Sequence, residues 1–193
     1  MSQCSGNSTS NRAEFHNNVV QGDFRGLGYR CTQFSANYWE IWHNTFATNV
    51  STTTTSYGAY YNSGSYNDVK NNSFIGFGDA VPAYMSSSSN TCDYNNYYNW
   101  NSGAGTATVG GGKGSNSVNQ NQGWASLSNL KISDACVNGT NLGLSTDING
   151  VTRSNPPDIG AYEATATAND AGVVAITSPN SPTTSGAQTV KVL

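Results

Sequence analysis

The sequence predicts an all-β fold, a right-handed parallel β-helix, from three observations. A tetrad containing Asn recurs four times, a bulky side chain follows each copy at a constant offset, and only 10% of the 193 residues are charged. The anchors of the four tetrads stand 26, 28 and 24 residues apart: Asn18, Asn44, Asn72 and Asn96. A unit of about 25 residues with this pattern is typical of one coil of a β-helix.

The units contain short strand-like pieces separated by Asn-, Ser- and Gly-rich turns, and no apolar spacing of three and four residues that would indicate helices. The first piece of the last three units lies fifteen residues before the anchor, at Tyr29, Tyr57 and Val81. The second lies three residues before the first three anchors, at Phe15, Ile41 and Val69, whereas Asp93 holds that place in the fourth copy. The third lies two residues after each anchor, at Val20, Phe46, Phe74 and Tyr98.

Stacking of the units places equivalent side chains above one another at about 4.8 Å, so the second and third pieces are predicted to form inward ladders. The anchor asparagines are predicted to lie at a corner of the coil. Asn tolerates a left-handed backbone, and its amide can bond the equivalent amide of the next coil.

The composition excludes several functional classes. Eight Lys and Arg residues against eleven Asp and Glu residues give a net charge of −3, which argues against a nucleic-acid partner. The longest aliphatic run, 173–176, is far too short to span a membrane. The Asn-, Ser- and Thr-rich, lysine-poor surface favours an extracellular location, with any export signal or anchor expected outside this sequence.

Four cysteines show no Cys-x-x-Cys spacing: Cys4, Cys31, Cys92 and Cys136. Cys4 and Cys31 stand at nearly the same offset from their anchors, so a Cys4–Cys31 disulfide is predicted. Cys92–Cys136 follows by elimination, and four buried free thiols are the alternative. The spacing favours no metal site, and no nucleotide-binding motif is present, so no cofactor is expected.

The C-terminal part of the sequence carries a separate motif. Thr146-Asp147-Ile148-Asn149-Gly150-Val151-Thr152-Arg153 is followed by Pro156-Pro157-Asp158-Ile159-Gly160-Ala161-Tyr162-Glu163. This ending resembles the closing segment of bacterial secreted right-handed β-helix proteins of the choice-of-anchor Q type. The resemblance covers about residues 11–163 and implies a β-helix over 1–163 and a secreted protein retained at the surface of Bacteroidetes-like bacteria.

The residues after this motif, 164–193, resemble a linker and the first strands of a truncated immunoglobulin-like β-sandwich that follows such β-helices. Within the closing motif, Arg153 stands between Asp147 and Asp158. We expect an Arg–carboxylate clamp that pins the closing segment to the last coil.

Catalytic candidates come from the enzymes of the β-helix class, polysaccharide lyases and glycoside hydrolases. Glu40 and Asp68 both stand four residues before their anchors and are predicted to lie one coil apart, with Asp93 one position off that row. Adjacent carboxylates can act as acid and base. Solvent-facing turn residues are the simpler interpretation, and no lyase or hydrolase signature is intact.

Binding candidates are the aromatic residues near the predicted outward row, namely Trp42, Tyr94, Trp39 and Tyr66. Aromatic faces flanked by amides suit the stacking of sugar rings, and filling of the core is the alternative.

Three hypotheses therefore stay open. The leading one is a non-catalytic module of a secreted surface protein, acting as a spacer or adhesive segment that contacts a polysaccharide or surface glycan. The second is a polysaccharide lyase or hydrolase. The third is an extracellular filament that self-associates through its coil ends or its C-terminal strand.

Overall fold

The computed structural model describes residues 8–24, 30–50, 57–61, 64–78, 81–100, 107–126, 128–133, 137–164, 176–178 and 191–192. The regular secondary structure of these residues is β, and they contain no helix. The first twelve strands are β1 (Ala13–His16), β2 (Val19–Phe24), β3 (Arg30–Phe34), β4 (Trp39–Trp42), β5 (Thr45–Val50), β6 (Tyr57–Tyr61), β7 (Asp68–Lys70), β8 (Ser73–Gly78), β9 (Val81–Met85), β10 (Thr91–Asp93), β11 (Asn96–Asn99) and β12 (Thr108–Val109). The last two strands are β13 (Ile176–Ser178) and β14 (Lys191–Val192), which pair antiparallel.

The first twelve strands form three parallel four-stranded sheets, each of which takes every third strand. We call them the first sheet (β1-β4-β7-β10), the second sheet (β2-β5-β8-β11) and the third sheet (β3-β6-β9-β12). Each repeat of the sequence therefore supplies one strand to each sheet, which confirms an all-β fold with parallel strands.

The strand register confirms three of the four anchors and corrects the fourth. Asn96 pairs with Ser73, the residue after Asn72, so the equivalent of Asn72 is Asn95. The prediction of Asn96 was wrong by one residue because two asparagines stand side by side in that tetrad. With Asn95 as the anchor, the exception at Asp93 disappears, since Cys92 pairs with Val69.

One hydrophobic core contains side chains from all three sheets. The ladder of the second sheet consists of Phe46, Phe74 and Tyr97, not Tyr98, and its rings stack at 5.2 Å with interplanar angles of 7° and 10°. In the third sheet Arg30, not Tyr29, pairs with Tyr57. Like side chains at equivalent positions can stack without voids, which explains the recurrence of aromatic residues at this offset.

The anchors form the predicted ladder of amides. The Nδ2 atoms of Asn18 and Asn44 donate to the Oδ1 atoms of Asn44 and Asn72, both at 3.0 Å. Asn72 continues the ladder by donating to Asn95 Oδ1 at 3.1 Å. The left-handed backbone predicted for the anchors belongs instead to the residues before them, whose φ angles are 51–54°: Asn17, His43, Asn71 and Tyr94.

The outer face of the second sheet is covered by the C-terminal part of the chain. Ala47 and Ile75 point outward from this sheet and are buried with Trp124 and Leu130 in a second hydrophobic cluster. Gln122 adds a polar contact, since its Oε1 accepts from Ser73 Oγ at 2.8 Å. We call residues 137–164 the closing segment; its last residue, Ala164, donates its backbone N–H to Asp158. The domain boundary at 163 and a β-sandwich after it stay predictions.

The cysteine predictions have different outcomes. Cys92 is a free, buried thiol on the inward face of β10, with its Sγ 3.4 Å from Met85 Sδ, so the predicted Cys92–Cys136 bridge was wrong. Its side chain points into the core, and burial raises the pKa of the thiol to about 12. Cys4, Cys136 and the side chain of Cys31 lie outside the described residues, so Cys4–Cys31 stays a prediction.

Candidate functional site

The outer face of the first sheet carries the predicted acidic residues. Glu40 pairs with Asp68 in the register of β4 and β7, as predicted. Glu14 lies beside Glu40 on β1, so the carboxylate row has a member that the sequence analysis missed. Its position four residues before Asn18 was the signal that could have found it. The neighbouring outward row consists of His16, Trp42, Lys70 and Asp93.

The carboxylates of this face have basic or N–H partners. Lys70 Nζ lies 3.0 Å from Asp68 Oδ1, and the indole N–H of Trp42 donates to Asp68 Oδ2 at 3.2 Å. Arg12 Nε lies 4.0 Å from Glu40 Oε1. Burial raises the pKa of Glu40, and Arg12 opposes this effect more than any other charge near it. The cations and N–H donors largely compensate the stacked acids.

Asp93 has a turn-closing role instead of extending the carboxylate row. Its Oδ1 accepts the backbone N–H groups of Tyr94 at 2.9 Å and Asn116 at 3.0 Å. Its Oδ2 accepts the side-chain amide of Asn116 at 2.9 Å. The carboxylate therefore ties β10 to the chain that follows β12.

The four aromatic candidates lie in four different environments. Trp39 points inward, is partly buried against the core and contacts Phe34, which favours the alternative that its ring fills the core. The ring of Trp42 stacks on His16 at 4.8 Å with an interplanar angle of 2°, which covers one of its faces. Tyr94 lies at the corner before Asn95 and not in the row of Trp42. Tyr66 is 51% exposed.

Tyr66 belongs to a second corner of the units, which precedes the first sheet. The register of that sheet makes four residues equivalent at this corner: Arg12, Tyr38, Tyr66 and Ser89. Tyr38 and Tyr66 both have a φ of 61°, and their rings stack at 5.3 Å with an interplanar angle of 10°. A left-handed backbone costs a bulky residue about 1–2 kcal/mol, so Tyr38 and Tyr66 both adopt a backbone conformation that is unfavourable for their residue type.

A polar recess adjoins this corner. It has a volume of about 240 Å³, and its lining is Thr9, Ser10, Asn11, Arg12, Glu14 and Glu40. The guanidinium of Arg12 reaches along the corner, where its Nη1 donates to the carbonyls of Tyr66 at 2.8 Å and Trp39 at 3.3 Å. Arg12 therefore both lines the recess and contacts the turn that carries Tyr66.

The predicted clamp of the closing segment uses a different carboxylate. Arg153 Nη1 lies 3.2 Å from Glu163 Oε2, and both side chains are buried. Asp147 and Asp158 instead accept backbone N–H groups in turns, and Arg153 reaches Asp158 through its carbonyl oxygen. Burial lowers the pKa of Arg153, an effect that Glu163 opposes. The clamp with the two aspartates was therefore wrong in its partner.

Arg153 attaches the closing segment to the first unit and not to the last. Its Nη2 donates to Asn17 Oδ1 at 2.8 Å, and the amide of Asn17 donates to the Thr146 carbonyl at 2.9 Å. Two units further on, Asn71 Oδ1 accepts the backbone N–H of Thr140 at 2.9 Å. We call the turn between the first and second sheets, which carries Asn17, His43, Asn71 and Tyr94, the first corner. The closing segment thus binds two side chains of this corner, those of Asn17 and Asn71.

No group of three or more His, Cys, Asp or Glu side chains in the part of the chain that the structure describes is arranged to hold a metal ion. No helix there is long and apolar enough to cross a membrane. Comparison of the chain with protein-family models, with curated proteins and with solved structures gave no match.

Proposed function

We propose that the three parallel sheets are the faces of a right-handed parallel β-helix, and that the chain is a non-catalytic module of a secreted or surface-bound bacterial protein. It acts as a rigid spacer or adhesive segment that contacts glycans. The unbroken register through four units and the core shared by the three sheets support the fold. The resemblance of the closing motif to choice-of-anchor Q proteins supports the location.

The observation that carries the non-catalytic assignment is the pairing of the acidic residues. An acid–base pair needs one carboxylate that can give or take a proton at the substrate. Asp68 is held by Lys70 and Trp42, and both oxygens of Asp93 accept from Asn116 or Tyr94. Binding without bond cleavage is the function that this arrangement supports best.

A panel of polysaccharides tests the proposal with two readouts on the same samples. The protein is incubated with each polysaccharide, and bound protein and released reducing ends are measured together. We expect binding to at least one polysaccharide and no release above a blank. Release by the wild type that is lost in both Glu40→Gln and Asp68→Asn would overturn the proposal.

The alternative is a polysaccharide lyase or glycoside hydrolase that uses the same two carboxylates. It is supported by the adjacency of Glu40 and Asp68 and by the raised pKa of Glu40, which suits a general acid. Lyase activity is distinguished from hydrolysis by ultraviolet absorbance of the unsaturated product. Substitution of Glu14, which lies in the same row but is 70% exposed, provides a matched control for loss of a carboxylate.

Self-association is the third proposal, and the sheet edges support it. Strands β1, β2 and β3 lie at one edge of the three sheets, where their backbone groups can accept further strands. Light scattering over a hundredfold range of protein concentration tests it, because a molecular mass that stays at the monomer value would rule out the filament.

A further inference from the structure

We propose that Tyr66 carries the glycan-contact site, where one uncharged sugar ring stacks on the tyrosine beyond the end of the Tyr38–Tyr66 pair. The inference rests on the proposed function and adds to it the position of the site and the class of sugar. Three properties of the second corner support it: its backbone, its row of side chains and its chemical surroundings.

The backbone of the second corner indicates that the tyrosines serve a purpose outside the coil. At the first corner, two of the four left-handed residues bind the closing segment through their side chains, Asn17 with Thr146 and Asn71 with Thr140. Tyr38 and Tyr66 have the same kind of backbone, but Tyr66 remains half exposed. Asn would relieve the backbone at this position, so the backbone conformation does not account for the tyrosine ring.

The row of side chains leaves one ring face for a ligand. Along the corner the order is Arg12, Tyr38, Tyr66 and Ser89, so the stack of rings ends at Tyr66. Within the described part of the chain, Tyr38 is the only ring against Tyr66. Ser89 is too small to cover the far face, which lies at the position that a third ring would occupy. A flat ligand with C–H groups can take that position.

The surroundings of this face favour a sugar without charge. The next turn along the row is the run of four serines at 86–89, three of which are exposed. Ser87 Oγ bonds Ser65 Oγ at 2.8 Å, which ties the serine run to the Tyr66 turn. Hydroxyl groups bond sugar hydroxyls without requiring a charge. The nearby cation, Arg12, already donates from Nη1 to two carbonyls and lies 4.0 Å from Glu40, so its charge is partly compensated within the protein.

Affinity electrophoresis tests the inference with soluble galactomannan, xyloglucan and mixed-linkage β-glucan as uncharged probes and polygalacturonate as the anionic one. The variants are Tyr66→Asn, which removes the ring, and Tyr66→Phe, which keeps it. Tyr94→Asn is the matched control, since Tyr94 also has a positive φ but lies at the first corner. We expect retardation by an uncharged polysaccharide, at least tenfold weaker binding for Tyr66→Asn, and changes below threefold for Tyr66→Phe and Tyr94→Asn.

Thermal melting of the same variants separates binding from folding. Tyr66→Asn is expected to melt at or above the wild-type temperature, because Asn accepts the left-handed backbone. A variant that unfolds at the assay temperature would show a structural role for the ring and overturn the inference. Equal binding by wild type and Tyr66→Asn, or binding of the anionic probe alone, would overturn the inference and leave the proposed function standing. Absence of binding to every probe would overturn both.

Discussion

His43 is expected to make the stability of the protein depend on pH. Its side chain is fully buried where the closing segment covers the first corner, and its Nε2 accepts the side-chain amide of Asn71 at 2.9 Å. Burial, with Arg153 nearby, lowers the pKa of the imidazole from 6.5 to about 3. Lowering the pH is therefore expected to destabilise the folded state, because the imidazole binds a proton in the unfolded chain at pH values where it stays neutral in the folded chain.

The size of the effect follows from the two pKa values. With 6.5 in the unfolded chain and about 3 in the folded one, the free energy of unfolding falls as the pH drops below 6.5. The loss between pH 7 and pH 4 is about 3 kcal/mol, and it stops growing below the folded pKa. Since a domain of this size is stable by about 5–15 kcal/mol, this one side chain decides a large share of its acid tolerance.

Urea unfolding at pH 7, 5.5 and 4, followed by tryptophan fluorescence, measures the effect in the wild type and in His43→Asn. Asn accepts the φ of 52° at this position but cannot be protonated. The variant is expected to be about 1–3 kcal/mol less stable at pH 7 and to lose about 3 kcal/mol less than the wild type on acidification. Burial also lowers the pKa of His16, but that residue is present in both proteins and cancels in the comparison. Equal losses in both proteins would refute the reasoning.

Three further predictions concern the ladder, the closing segment and the core. Asn72→Ala removes a buried amide that bonds both neighbouring units, and it is expected to lower the free energy of unfolding, measured in urea, by about 3–5 kcal/mol. Asn18→Ala, at a half-buried position, is expected to lower it by about 1–2 kcal/mol, and equal losses would contradict the ladder. Gly139→Ala would place a Cβ 2.5 Å from Asn71 Oδ1, so a loss of about 1–3 kcal/mol is expected, and unchanged melting would show that this contact is absent. Cys92 is expected to resist alkylation in the native protein and to react after denaturation, as followed by peptide mass spectrometry; native labelling would place the thiol outside the core.

The repeat and the inward ladders could be predicted from the sequence because stacking requires like residues at a constant offset. Where the offset was ambiguous, prediction failed. Asn95 and Asn96 are adjacent and identical in type, so composition could not choose between them, whereas the hydrogen bonds from Asn72 select Asn95. The same slip misplaced Tyr98 and Tyr94 by one position, because a shift of one residue turns a strand side chain to the other face.

The site was predicted in part. The adjacency of Glu40 and Asp68 follows from their common offset, and the structure has it. Their neutralisation by Arg12 and Lys70, and the inward direction of Trp39, depend on side-chain packing that an offset does not contain. Three members of the second-corner row, Arg12, Tyr38 and Tyr66, share an offset of six residues before their anchors, whereas the fourth, Ser89, follows only from the register of the first sheet.

The sequence by itself determined the parallel strands, their period and the amide ladder, since these are interactions between residues about 25 positions apart that repeat. Only the tertiary structure decided how the closing segment is held. Arg153 selects Glu163 and Asn17, and the second of these partners is 136 residues away. A buried guanidinium takes the acceptors that the folded backbone brings within reach, and distance along the chain does not determine which these are.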